Sequence, residues 1–504
     1  MKTIKGLILG SAATILAVGG AQAADLPVKA KAVEYVKVCS LYGAGFYYIP
    51  GTDTCVKIGG AIRIDTTFNG NAYDTPFWQG GAGGAGAWNK DYFLNRSRIN
   101  LTTDTRTATE YGVVRTYANI QFDFSQNREN IAGGFTEVDY AFVQFAGFTF
   151  GKAVSQFDPQ WALSKPYVSS GFMAGSNNTT GIPQIAYTAS FGNGISGTIS
   201  LENATPYRNA GLYNAGLALV APFGASTAAG YGTTANSFQG NSYGGNHIPD
   251  VVANLRLDQA WGSLHLGAAM HMITPGYYAN ANGAAGGHPD DSYGFAVNGA
   301  VEFKNLPTGA GDSLKLEATY AKGAAKYAMA GGTTDTSGGG RFAKADANSI
   351  AFGYVLDGVY ANGGQIQQSE AWSVVGFYEH YWNPAWRTSL FGSYSKISYG
   401  EGGNAILAAS FAQVRPAGIV GSNNGFLTGS SGNFDFGVAQ IGTRTAWTPV
   451  KNLTFSAEFT YTRLEQSLGG TLNNVNVTGR PAGSNYAVQD QSIYNGTLQV
   501  LRSF

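Results

Sequence analysis

Arg63, Arg96, Arg98 and Arg115 are the residues of this sequence whose type and spacing promise chemistry. A guanidinium is charged at any physiological pH and presents a rigid fork of donors. Arg96 and Arg98 are two apart, so on an extended chain they share a face. Lys57 shares the odd-numbered face of Arg63. Acids stand elsewhere: Glu137 and Asp139 in one stretch, and Asp158 as the one acid of 156–183, where Lys165 is the one base. Basic and acidic side chains on opposed walls would set up a transverse field that orients water and sorts ions in a narrow opening. A plainer reading pairs each arginine with a nearby carboxylate to keep a wet wall solvated.

Bond-making chemistry finds little support. "GAGGAG" at 81–86 has glycine spacing for a dinucleotide but no helical pattern after it. His265 and His271 share a face but lie ~20 Å apart along a strand, too far for one metal; they read as lining residues. Five histidines with no compact Ser-His-acid cluster give no hydrolase. No catalytic residue, metal ligand set or cofactor motif emerges.

The elements that must position the arginines are strands. In "VKIGGAIRIDTTF" at 56–68, Val56, Ile58, Ile62, Ile64 and Phe68 fall on one parity and Lys57, Arg63, Asp65 and Thr67 on the other. A strand turns these into one oily and one charged face. Sixteen such segments recur: 56–68, 91–103, 111–124, 135–145, 148–155, 184–191, 195–202, 249–260, 263–273, 292–304, 312–322, 370–381, 386–398, 433–446, 451–463 and 490–503. The connections alternate. Short turns, such as "DTRTAT", Ala146-Gly147, "GNG" at 192–194 and "WNPA" at 382–385, alternate with long loops, such as 156–183, 203–248 and 323–369. A transmembrane barrel sorts its loops this way, with short periplasmic turns and long outer loops.

The direction of the oily faces follows by elimination. Facing inward, sixteen long strands would enclose one very large core, which Gly60, Gly112, Ala118 and Ala268 would fill poorly. Facing outward, they meet lipid, which needs no shape matching. A closed barrel also satisfies every backbone N–H and C=O in hydrocarbon. The expected fold is all-β: a sixteen-stranded antiparallel transmembrane barrel. Phe68, Tyr92, Tyr111 and Phe124 near strand ends suit interfacial girdles.

Composition agrees. Charged residues are 12 %, about half the usual ~25 %. Glycine accounts for 71 of 504 residues, roughly double the usual share. Lysine plus arginine equal aspartate plus glutamate at 31 each, so nucleic acid is not an expected partner. Lys2 and Lys5, an apolar run from Gly6 to Gly20, and "AQA" at 21–23 read as a secretory signal peptide over 1–23. Residues 24–54 then form an N-terminal periplasmic segment, and 55–504 the barrel. Cys39 and Cys55 in an exported chain read as a disulfide, worth about 3 kcal/mol on loop entropy.

"DLPVKAKAVEYVKVCSLYGAGFYYIPGTDTCVKIGG" at 25–60 resembles the N-terminal signature of the general porins of alphaproteobacteria. "FVQFAGFTFGKAVSQFD" at 142–158 and "YEHYWNPAWRTSLFGSY" at 378–394 resemble the same family. The resemblance implies an outer-membrane homotrimer, a third outer loop folded into the channel, and passive diffusion of small hydrophilic solutes and ions. Phe504, with Leu498 and Val500 before it, resembles the assembly signal of such barrels, from which Arg502 departs. Two other roles stay open: a substrate-specific channel, for which inward Tyr117 and Phe391 are too few to make an aromatic file, and a surface receptor or adhesion barrel acting through 203–248 and 323–369.

Overall fold

The computed structural model describes residues 37–69, 93–125, 135–168, 174–175, 180–205, 208, 210–215, 242–278, 286–329, 340–412, 426–475, 481 and 483–504. The expected signal peptide at 1–23 and residues 24–36 lie outside the described residues. Sixteen strands form one closed ring: β1 Thr54–Phe68, β2 Phe93–Thr109, β3 Gly112–Ser125, β4 Phe135–Phe145, β5 Phe148–Ala153, β6 Ile182–Gly192, β7 Ile195–Glu202, β8 Asp250–Gln259, β9 Gly262–Ile273, β10 Ser292–Lys304, β11 Ser313–Lys322, β12 Glu370–Asn383, β13 Trp386–Ser398, β14 Phe436–Val450, β15 Leu453–Gln466 and β16 Gln491–Ser503. Every neighbouring pair is antiparallel. The ring closes where β1 pairs β16, from Ala61 opposite Ser503 to Phe68 opposite Gly496.

The oily faces point outward. Leu266 is 63 % and Ile64 48 % exposed, whereas Asp65 beside it is fully buried. The alternation holds along β9, where Leu264, Leu266, Ala268 and Met270 are exposed and His265 and His271 buried. Aromatic rings gather at the turn end, where Trp386 stacks on Trp447 at 5.6 Å. Phe68 meets Phe93 near the opposite rim, at 4.9 Å. Such bands suit the two faces of a bilayer. No described helix is long and apolar enough to cross a membrane.

Turn chemistry explains the short connections. β4 and β5 join through Ala146 and Gly147, both at positive φ (49° and 85°), which matches the twist of a tight hairpin. A Cβ on Gly147 would also stand 2.9 Å from the Thr188 carbonyl oxygen. "DTRTAT" is not a turn: these residues extend β2 to Thr109, and the chain reverses at 110–111. Thr107 and Arg106 pair with Thr54 and Cys55 of β1, and this pairing carries the strand past the predicted stop. At the C-terminus, Phe504 N donates to Gly60 O at 3.0 Å and Gly60 N to Phe504 O at 3.1 Å. A Cβ at Gly60 would strike the Phe504 ring and the Asn100 carbonyl, so glycine permits the contact. Arg502 caps the neighbouring turn, donating to Lys451 O at 2.6 Å.

Two features lie beyond the strand pattern. The Cys39–Cys55 disulfide fastens a small cluster of Phe46, Tyr42 and Tyr48 to the foot of β1, with the Arg106 guanidinium 4.9 Å from the Phe46 ring centre. At the outer rim, long loops are folded onto the wall. A helix α1, Gly400–Ala412, and a five-stranded sheet drawn from 340–355, 426–428, 471–475 and 484–488 build an apolar core. That core packs against inward-facing Ala296, Ala321, Ala371, Ile397 and Val438. The inner wall is therefore covered there, not wet throughout.

Candidate functional site

Strand register brings three of the four arginines together. Arg63 stands opposite Arg98, and Asp65 opposite Arg96, across β1 and β2. Asp65 is the hub. It accepts from Arg63 Nε at 2.8 Å, from Arg96 Nε at 2.8 Å, and from Gln499 Nε2 of β16 at 3.0 Å. Arg98 bonds Asp123 of β3 at 2.6 Å, and Gln121 joins Asp123 to Glu137 at 3.0 and 3.1 Å. The three guanidiniums differ in access: Arg98 and Arg63 side chains are 13 % and 19 % exposed, and Arg96 only 1 %. Like charges packed this closely stay together because a carboxylate sits between them.

Arg115 is not part of this group. It stands opposite Arg106, eight residues along β3 from Asp123 and nearer the turns, and bonds Asp104 at 2.9 Å. Lys57 lies further down β1, opposite Asp104. Glu137 and Asp139 fall beside the arginines rather than opposite them, since β3 and β4 are neighbours. A register shift between Asn119 and Ile120 makes Asp139 a bulged residue, so Asp139 and Tyr140 are both buried. Asn119 Nδ2 reaches Asp139 at 3.4 Å, and Lys152 Nζ donates to Val138 O at 2.6 Å.

The segment after β5 touches inward-facing side chains of many strands. Ser155 Oγ and Gln156 N donate to Glu202 of β7 at 2.7 and 2.8 Å. Asn254 of β8 donates to Gln156 O at 2.6 Å, and His265 Nε2 of β9 meets Phe157 O at 2.9 Å. Lys315 Nζ of β11 donates to Ser164 O and Ser389 Oγ of β13 to Pro166 O, each at 2.7 Å. Val168 O accepts from Arg63 Nη2 of β1 at 2.7 Å, and Val168 N donates to Glu458 Oε2 of β15 at 2.5 Å. Apolar contacts add to this: Trp161 lies on Phe377, and Tyr167 on Phe377 and Phe391.

Several expected lining residues are therefore occupied. Arg208 Nη2 donates to both carboxylate oxygens of buried Asp158 at 2.9 Å, and that guanidinium lies over Tyr327 at 4.5 Å. Lys165 is buried, and burial lowers its ammonium below the ordinary lysine value. His265 is consumed by Phe157, and His271 is sealed between Asp250 at 2.8 Å and Tyr243 at 3.1 Å. Neither histidine faces water. Phe391 is covered by Tyr167; Tyr117 stacks on Phe142 at 5.4 Å on the wall beside Arg115. Sequence reasoning missed Asp65, Glu458, Gln499 and Arg208 as partners. Asp65 carried a signal, since it shares the parity of Arg63 two residues away; Arg208, in a long loop, carried none. Among the described residues no group of three or more His, Cys, Asp or Glu is placed to hold a metal ion.

Residues 25–497 match the family described as the porin subfamily. Porin Omp2b of Brucella suis biovar 1 is 31 % identical over 271 residues, 52 % of this chain and 64 % of that protein. Omp2b of Brucella melitensis biotype 1 matches with the same identity and coverage. The chain thus spans a little under two-thirds of the length of these curated relatives. Among solved structures, the outer membrane channel DcaP of Acinetobacter baumannii superposes with a TM-score of 0.54 at 14 % identity, covering 91 % of this chain and 99 % of that one. That likeness is one of fold.

Proposed function

The chain belongs to the porin family, a Gram-negative outer-membrane group, and from that premise we propose that its barrel is a water-filled channel for passive diffusion of small hydrophilic solutes and ions. One observation carries the reading. A closed wall has an apolar outside and, through β1 to β4, a charged inside with Arg63, Arg98, Asp123 and Glu137. Lipid accepts the first surface and water the second.

The described segment 154–168 is the proposed constriction. Its contacts with β7, β8, β9, β11, β13, β15 and β1 support a path inside the ring. The opening would then lie between this segment and the arginine wall. Asp158, spent on Arg208, leaves that side without its expected acid, so the filter is mainly one of size. Arg63, Arg98, Asp123, Glu137 and Asp139 would give it a weak, nearly balanced charge. Homotrimeric assembly belongs to the same proposal and is checked by the mass of the detergent-solubilised particle.

Liposome swelling with sugars of graded size is the test. Rates that fall with solute size alone, without saturation, support the general channel. Saturation for one sugar would point to a substrate-specific channel, and absent flux to a receptor or adhesion surface. Either result overturns the proposal.

A further inference from the structure

Val168 is held by both of its main-chain polar groups. Its carbonyl oxygen accepts from Arg63 Nη2 at 2.7 Å and its N–H donates to Glu458 Oε2 at 2.5 Å. The two side chains come from β1 and β15, with β16 between them. Polarity is matched at each end, cation to carbonyl and carboxylate to N–H, which makes both contacts charge-assisted. Val168 is 5 % exposed, so its main-chain groups have little other access to water.

Arg63 is itself fixed. Asp65 takes its Nε in two contacts, at 2.8 and 3.1 Å, and leaves Nη2 aimed at Val168. Asp65 is in turn held by Arg96 and Gln499. The Arg63 guanidinium is thus a strut between wall and segment, with a geometry set from both ends.

We propose that Arg63 and Glu458 are positioning residues: together they clamp the backbone of Val168 and so fix the width of the opening. This rests on the reading that segment 154–168 narrows the channel. The clamp acts on the main chain, so it does not depend on the side chain at 168. Charge and width are then separable. Arg63→Ala removes a cation and Glu458→Ala an anion, yet each releases the same residue. A purely electrostatic role for the pair predicts opposite effects in every ionic measurement and no common effect on neutral sugars.

The experiment reconstitutes full-length Arg63→Ala, Glu458→Ala and Glu458→Gln channels and compares them with the wild type. Two readouts are taken: swelling with neutral sugars of graded size, and reversal potential in a salt gradient. Folding is checked by the shift in gel mobility on heating, and only folded protein is reconstituted. The clamp predicts that both alanine variants admit larger sugars several-fold faster, while their reversal potentials move in opposite directions. Glu458→Gln keeps an acceptor for Val168 N–H but loses the charge. It should shift the reversal potential like Glu458→Ala while keeping the wild-type sugar limit.

A variant shortened by excising 160–175 separates the two layers of inference. If the excision widens the channel but neither alanine variant does, the clamp is wrong and the constriction stands. If the excision leaves the sugar limit unchanged, the constriction fails and the clamp with it. A limit widened in Glu458→Gln as much as in Glu458→Ala overturns the main-chain grip.

Discussion

Replacing Arg98 by glutamine isolates the electrostatics of the wall. Arg98 suits this better than Arg96 because its side chain is 13 % exposed against 1 %, and because its carboxylate partner Asp123 keeps Gln121 when Arg98 is gone. In the wild type Arg63, Arg96 and Arg98 stand among Asp65, Asp123, Glu137 and Asp139 on this wall. The substitution removes one positive charge from it. An ion passing ~7 Å from a unit charge in water gains or loses about 0.6 kcal/mol before screening. A Debye length of ~10 Å at 0.1 M salt roughly halves that. The cation's gain and the anion's loss together move the permeability ratio about threefold toward cations.

The assay is the reversal potential of a reconstituted channel at two salt levels. The cationward shift should be present at 0.1 M, to order of magnitude as above, and nearly vanish at about 1 M, where the Debye length is ~3 Å. Sugar swelling rates should not change. A shift toward anions, no shift at low salt, or a shift that survives high salt would each refute this placement of Arg98 on a water-filled wall.

Other perturbations read other parts of the molecule. Arg96→Gln breaks a buried pair at a cost of about 3–5 kcal/mol, so the folded band on unheated gels should melt at lower temperature, with a smaller selectivity change than Arg98→Gln. Leu266→Arg puts a charge on the lipid side and should cost ~2–4 kcal/mol, read as a reduced folded yield in vesicles; a normal yield contradicts the outward placement. Burial opposes the charge of Asp312, but hydrogen bonds from Thr308, His380 and Tyr381 outweigh it and hold the carboxyl down to about 2. A lowered value means that protonation favours the unfolded chain, so this turn's contribution is complete above pH ~4 and is lost as pH falls toward 2. Asp312→Asn should therefore be less stable than wild type at neutral pH, with the gap closing near pH 2 in acid unfolding followed by tryptophan fluorescence. Cys39→Ser removes a crosslink worth about 3 kcal/mol, and trypsin should then cut sooner at Lys37 while conductance is kept.

The strand pattern was legible because lipid is an undemanding neighbour. It asks only that Ile58, Ile62 and Ile64 share a parity, and the sequence states parity directly. Short turns were legible for a similar reason, as at Ala146-Gly147, where the needed positive φ names its residues. Partners inside the ring were not. Arg115 and Arg98 look alike along the chain, and only the register of β3 on β2 places them at opposite ends of the wall. Asp158 reads as a pore acid until Arg208, fifty residues on, is brought against it by the folding of a long loop. Ala296, Ala321 and Ala371 look the same whether they face water or the packed loop core, because alanine carries no mark of its neighbour. The helix Gly400–Ala412 was missed for want of an apolar stripe: its glycine-rich start reads as loop, and its ordering comes from tertiary contacts.

The pairing of charges has a physical cause that bears on what such a channel can select. A guanidinium in a wall beside lipid is costly to hold unpaired, so each inner arginine described here has a carboxylate within reach. Pairing removes net charge from the opening and leaves short dipoles along the wall. Dipole fields fall off faster than those of single charges, so they act on a solute at the wall more than on one at the centre. Narrowing the opening would therefore make these charges felt, and in the proposed constriction the width is held by the main-chain anchors at Ser164, Pro166 and Val168. It follows that Ser389→Ala, which frees Pro166 without changing any charge, should weaken charge selectivity as well as raise the size limit, whereas neutralising Arg98 should change selectivity alone.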